Sequence, residues 1–357
     1  MHGNWMSTSA SCNMIIELES VPHIAPLGPG ITRSNCPVAT VFTSLLADHS
    51  GIKFKGIALL PNFLVIGAQK SGTTSLHEYL KLHPDIYLPE QKETKFFVND
   101  EIFRQGMEYY ENRFFGGWDG ESAVGEIDPD YIYFERGLTR IAENLDVSQL
   151  KFVLLLRQPV DRAFSHYLMT YRRGLENLSF EEALQAEAGR ICQNDVNRMH
   201  YSYFDRGLYA RQVERLFELV EPSRVHFMLS ERLASNPGDE VSRCLEFLGV
   251  DPDTQKLNLD QKFHQAVVPR STGLLQWILA DGWHKKIVRA VLPNEKFRLG
   301  LRAKLLSWNE KPAQDTRVSP QLRLELLRRY TDDILELQDL SKLNLEHWLH
   351  GDTGKSN

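Results

Sequence analysis

Three short apolar runs, each bounded by polar or turn-forming residues, organise the chain. Phe63-Leu64-Val65-Ile66 lies between Pro61 and Gly67. Lys151 to Leu156 runs into Arg157-Gln158-Pro159, and Val225 to Leu229 runs into Ser230-Glu231. Continuous apolar runs of this length predict strands buried on both faces of a parallel sheet. Between them the period changes to that of a helix. Leu76, Tyr79 and Leu80 predict a helix over Ser75 to Leu82, stopped by His83-Pro84. After Pro159, suited to a first helical position, Val160, Phe164, Tyr167, Leu168 and Tyr171 predict a buried helix face, with Arg162 and Ser165 on the other side. Further helices are expected over Ala210 to Val220, over Glu240 to Leu248 with Gly249 as the stop, and after Ser319-Pro320. In the last of these, Leu326, Tyr330, Ile334 and Leu337 share a face, and Trp348 closes a short final helix.

Strands alternating with helices predict a three-layer α/β/α domain with a mainly parallel central sheet and a P-loop-like phosphate-binding loop, spanning 59–350. Residues 1–58 read as an irregular N-terminal extension and 351–357 as a disordered tail. In such folds ligands bind beyond the carboxyl ends of the strands, so the polar loops at 67–75 and 157–165 can share one site.

Composition narrows the function little. Of 357 residues, 42% are hydrophobic and 25% charged, as in ordinary globular proteins, and a net charge of −6 argues against bulk nucleic-acid binding. Cys12, Cys36, Cys192 and Cys244 form no C-x-x-C pair, which argues against a zinc site or a disulfide framework. No apolar run reaches the roughly 18 residues of a membrane span, and the N-terminus lacks a basic start and long apolar stretch. The expectation is a cytoplasmic protein without a membrane anchor.

Gly67 and Gly72 have P-loop spacing, yet Thr73 stands where a P-loop has its lysine, and Lys70 comes three residues early. The glycines allow close approach of an anion, and the amides from Ser71 to Ser75 open a helix whose dipole favours phosphate. Thr73 and Thr74 add hydroxyls and Lys70 a charge. In the second loop Arg157 offers a planar fork and Ser165, about two helical turns on, a single donor. Two anion sites at neighbouring strand ends suggest one ligand with two separated phosphates. Asp128 and Asp130, split by Pro129, read as a turn rather than a metal site, and no metal is expected.

Together, Lys70-Ser71-Gly72-Thr73-Thr74 and the Arg157/Ser165 pair resemble the motifs of the PAPS-dependent sulfotransferases, where PAPS is 3′-phosphoadenosine 5′-phosphosulfate. The resemblance covers about residues 61–350 and includes HPDIYLPEQKETKFF, GEIDPDY, RGLYARQVERLFE, FMLSERLASNP and CLEFLGV. It looks closer to the heparan-type and bacterial branch than to the cytosolic small-molecule branch. The resemblance implies that the first loop, Lys70 through Ser75, binds the 5′-phosphosulfate and that Arg157 and Ser165 bind the 3′-phosphate. It gives Lys70 a second, catalytic role at the oxygen leaving sulfur, and makes Glu93 the base.

His166 and His83 are rival bases, since the cytosolic branch uses a histidine. A late loop should close over the donor, carried by VVPRST with Arg270 or by NEKPAQDTR with Lys311, with Phe263 and Trp308 as candidate stacking groups. The heparan-type enzymes have a lysine where this chain has Ile127-Asp128. Its loss argues for a small-molecule hydroxyl acceptor over a glycan, with an amine as the lesser case. Acceptor pockets are expected from loops at 98–124 and 172–204. Two other readings stand beside this one: a P-loop-type small-molecule kinase using ATP-Mg, and a non-catalytic nucleotide-binding module.

Overall fold

In the computed structural model, the described residues are 60–257, 259 and 318–350, the backbone of 267–269 and 310–312, and a few positions between 298 and 305. The expectations for 1–58, 351–357, Phe263, Arg270, the Lys311 side chain and Trp308 lie outside them.

Five parallel strands form the central sheet: β1 (Phe63–Gly67), β2 (Ile86–Tyr87), β3 (Ala123–Ile127), β4 (Lys151–Leu156) and β5 (Val225–Leu229), in the order β2-β3-β1-β4-β5. β1 is central, pairing Phe63 with Gly125 on one side and with Lys151 on the other. The helices follow in chain order. They are α1 (Thr73–Leu80), α2 (Asp100–Phe103), α3 (Gly106–Tyr110), α4 (Glu135–Asn144), α5 (Pro159–Arg172), α6 (Phe180–Ile191), α7 (Asp195–Tyr201), α8 (Ala210–Phe217), α9 (Ser230–Ser235), α10 (Pro237–Leu248), α11 (Pro320–Ser341) and α12 (Glu346–Leu349).

Strand alternation sorts the core into two layers, because successive side chains point to opposite faces. Leu64, Ile66, Phe152, Leu154 and Leu156 pack with Leu138, Val160, Val213, Tyr330 and Trp348 on one face. Phe63, Val65, Val153 and Leu155 pack with Leu76, Leu80, Leu233 and Leu245 on the other. This is the three-layer α/β/α arrangement expected from the chain.

The differences from expectation have local causes. α1 begins at Thr73, two residues early, because Gly72 supplies a left-handed N-cap at φ 101°. α8 stops at Phe217, and the two stretches expected as acceptor loops are largely helical, containing α2–α3 and α6–α7. Arg162 was expected opposite the buried face of α5 but is wholly buried, while Phe164 and Tyr171 are only half-buried. Helices cover both sides of α5, and Arg162 Nη2 donates to the Tyr203 carbonyl there. The two stretches considered for the late loop also turn out to be partners. Val267–Pro269 and Glu310–Pro312 pair antiparallel, Val268 opposite Lys311.

Candidate active site

Lys70, Arg157 and Glu93 gather at the carboxyl ends of β1, β4 and β3. The first loop leaves β1 at Gly67, where an added Cβ would sit 2.5 Å from Ile132 Cγ2. Packing against Ile132 therefore calls for a glycine there as well. Ser71 and Thr73 are buried, and Lys70, Thr74 and Ser75 half-buried. α1 then opens at Thr73 with no side chain capping its first amides, leaving donors for an anion.

The second loop leaves β4 at Arg157. Arg157 Nη1 donates to the Lys70 carbonyl at 3.1 Å, so the two candidate phosphate loops are in direct contact. Ser165 lies half-buried on α5. Cations crowd Lys70. Burial, then Arg157, Arg172 and Arg173, push its ammonium down from the ordinary lysine range to about 8. Arg172 and Arg173 were not singled out from the sequence. Their one signal is a basic pair at the end of an amphipathic helix, which is common on solvated surfaces.

Glu93 reaches the same strand ends. Its amide donates to the Ile127 carbonyl at the end of β3, 3.1 Å away. Its carboxylate pairs with Lys92 at 2.5 Å and Lys95 at 3.1 Å. Burial works to raise its pKa, but the Lys95 and Lys92 charges outweigh it and hold the group below the usual carboxylate range. Among the described residues, four non-glycine residues have φ in the left-handed region, and three are Lys70 (71°), Glu93 (61°) and Lys95 (58°). Such backbone persists only where its surroundings enforce it, and it concentrates at functional sites.

A buried polar knot holds the stretch around Glu93 and Lys95. Lys95 Nζ donates to Asp128 at 2.9 Å and to Asp130 at 2.7 Å, and the Lys95 amide donates to Asp128 at 2.9 Å. Arg206 adds a second cation to Asp130 at 2.5 Å. Against the effect of burial, Arg206 and Lys95 hold Asp130 well below its ordinary pKa. Beneath lies Glu126, which accepts from Tyr110 (2.6 Å), Thr94 (2.7 Å) and Tyr131 (2.8 Å) and which burial pushes up to about 7. Lys95 thus sets its ammonium between Asp128 and Asp130.

The rival histidines are held elsewhere. His83 Nε2 meets the Asp251 carbonyl at 2.9 Å and Nδ1 accepts from the Asp85 amide, a link between loops. His166 follows Ser165 on α5. It is wholly buried, and burial lowers its pKa far below the usual value.

The sulfotransferase domain family model matches residues 60–267, more than half of the chain. Heparan sulfate glucosamine 3-O-sulfotransferase 3A1 of Homo sapiens is 29% identical over 225 residues, covering 62% of this chain and 50% of that protein. Heparan sulfate glucosamine 3-O-sulfotransferase 6 of Homo sapiens is 32% identical over 191 residues, covering 53% and 52%. The chain thus spans about half the length of the curated relatives it matches. The crystal structure of a sulfotransferase from Alicyclobacillus acidocaldarius superposes with a TM-score of 0.58 at 28% identity, covering 81% of this chain and 99% of that one.

Proposed function

The chain belongs to the sulfotransferase domain family, and on that premise we propose that it moves a sulfuryl group from PAPS to a hydroxyl of a glycan or small-molecule acceptor. The observation that carries the reading is the contact between the two phosphate loops, Arg157 Nη1 to the Lys70 carbonyl, with Glu93 anchored on the adjacent strand end. A donor with a 5′-phosphosulfate and a separate 3′-phosphate matches that pair of loops. Lys70, Ser71, Gly72, Thr73, Thr74 and Ser75 would hold the 5′ end, and Arg157 and Ser165 the 3′-phosphate.

In the transfer, a bond forms between the acceptor oxygen and sulfur as the bond from sulfur to the 5′-phosphate oxygen breaks. The acceptor proton goes to Glu93 and the departing electron pair to the nucleotide. Charge grows on the leaving oxygen, so a cation at Lys70 stabilises the transition state more than the bound donor. Glu93, held ionised by Lys95 and Lys92, is in the form that can accept the proton.

We propose further that the step needs no metal. The cations Lys70 and Arg157 supply positive charge, and Asp128 and Asp130, the nearest candidate ligands, are engaged by Lys95 and Arg206. An ATP-Mg kinase is not favoured on the same grounds. Among acceptors, the charges of Arg172 and Arg173 acting on Lys70, and the names of the relatives, favour an anionic glycan. The cytoplasmic location stays part of the proposal, and fractionation of cells expressing the full chain tests it. Among the described residues no helix is long and apolar enough to cross a membrane.

Calorimetry tests the donor. Adenosine 3′,5′-bisphosphate should bind equally well with magnesium or with chelator, and turnover with PAPS should follow on a panel of glycan and small-alcohol acceptors. Preferred binding of ATP-Mg would overturn the reading. Tight bisphosphate binding with no turnover on any acceptor would favour the non-catalytic module.

A further inference from the structure

Two stretches that the resemblance left without a role, RGLYARQVERLFE and FMLSERLASNP, converge on the turn that carries Arg157. From the first, Tyr209 donates its phenol to the Arg157 carbonyl at 3.0 Å. From the second, Glu231 accepts the Gln158 amide at 2.9 Å. The peptide group between Arg157 and Gln158 is thus gripped from both sides, through its carbonyl and through its N–H. Gln158 turns its own side chain inward to cap α5, accepting from the Asp161 amide at 2.9 Å. With its backbone held on both sides, the Arg157 guanidinium is left to reach across to the Lys70 loop.

Tyr209 is itself rigidly placed. It is 2% exposed, and its amide and that of Ala210 donate to Asp333 on α11 at 2.8 and 3.1 Å. Its phenol oxygen lies against the buried Ser71 hydroxyl, outside good hydrogen-bond geometry, so one side chain adjoins both phosphate loops. Burial raises its pKa to about 12, which keeps the hydroxyl a donor across the working range.

We propose that Tyr209 and Glu231 are positioning residues for the 3′-phosphate, fixing the Arg157 turn so that the guanidinium selects a 3′-phosphorylated donor. The inference rests on the donor assignment made above. It differs from a merely structural role in one readout, the preference for a nucleotide with a 3′-phosphate over one without it.

The experiment is calorimetric titration of the full chain with adenosine 3′,5′-bisphosphate and with adenosine 5′-monophosphate, on wild type and Tyr209→Phe. Loss of one neutral hydrogen bond should weaken bisphosphate binding by about three- to tenfold and leave the monophosphate unchanged. KM for PAPS should rise while kcat holds. An unchanged affinity ratio in a folded Tyr209→Phe protein overturns the inference and leaves the donor assignment standing. Equal binding of both nucleotides by the wild type removes the donor assignment, and the inference with it. Should Tyr209→Phe fail to fold, Glu231→Ala should narrow the ratio and Glu231→Gln, whose carbonyl can still accept the Gln158 amide, should restore it. No narrowing in Glu231→Ala overturns the inference equally.

Discussion

Arg157 stands where β4 ends, carried there by regular structure, whereas Glu93 stands between Leu88 and Asn99, a stretch with neither helix nor strand. On the donor side, strand, turn and helix follow one another within a few residues, and distant side chains such as Tyr209 and Glu231 brace what the local sequence lays down. On the acceptor side, Glu93 is held through its neighbours. Lys95 is tied to Asp128 and Asp130, and Thr94 to Glu126, all more than thirty positions later. One half of the site is positioned by secondary structure, the other by buried charge. In the first, loss of a side chain that braces the Arg157 turn should show in nucleotide preference rather than in stability. In the second, a charge removed should cost both shape and chemistry.

Glu93→Gln should break the acceptor half at its working atom. We expect kcat to fall by about 10²–10⁴ with bisphosphate affinity unchanged, read by steady-state kinetics beside calorimetry. Lys95→Met should expose the structural basis of that half. Removing the cation leaves two buried carboxylates short of a partner, at a cost of about 3–5 kcal/mol in unfolding free energy, measured by denaturant titration. Retention of full stability would show that Arg206 alone suffices.

Lys70→Met should lower kcat by about 10²–10³ with little change in stability, the signature of a group acting on the transition state. Arg157→Ala should cost about 10- to 100-fold in bisphosphate affinity and almost nothing in monophosphate affinity. The smallest effect is in pH. The Lys70 ammonium in the free protein is charged below about 8 and neutral above it. Bisphosphate affinity should therefore decline above that pH, and Lys70→Met should flatten the profile.

The contrast also explains what could be read from the chain. The donor half was legible because its constraints are local. Gly72 before Thr73-Thr74, Arg157 after an apolar run and Pro159 at the first helical position all sit where adjacent residues demand them. The layers were legible for the same reason, since Leu326, Tyr330, Ile334 and Leu337 lie on one buried stripe. Glu93 was singled out through resemblance alone. The knot around it was not legible, because nothing near Lys95 tells that its ammonium will lie between Asp128 and Asp130. The burial of Arg162 was equally hidden. Helical periodicity reports one covered face, and α5 is covered on both.

Trp348 is 1% exposed, and its carbonyl faces the Gln158 side chain at 3.5 Å, 190 positions earlier in the chain. During synthesis, β1, β4 and the loops between them leave the ribosome long before α12 does. Domains tend to fold as units during synthesis. The nascent chain can lay down the sheet and both phosphate loops, yet the Gln158 side chain beside Arg157 meets the Trp348 carbonyl only once α12 is in place. A polypeptide halted before that point would carry the whole donor motif and still lack the backing against which it is set.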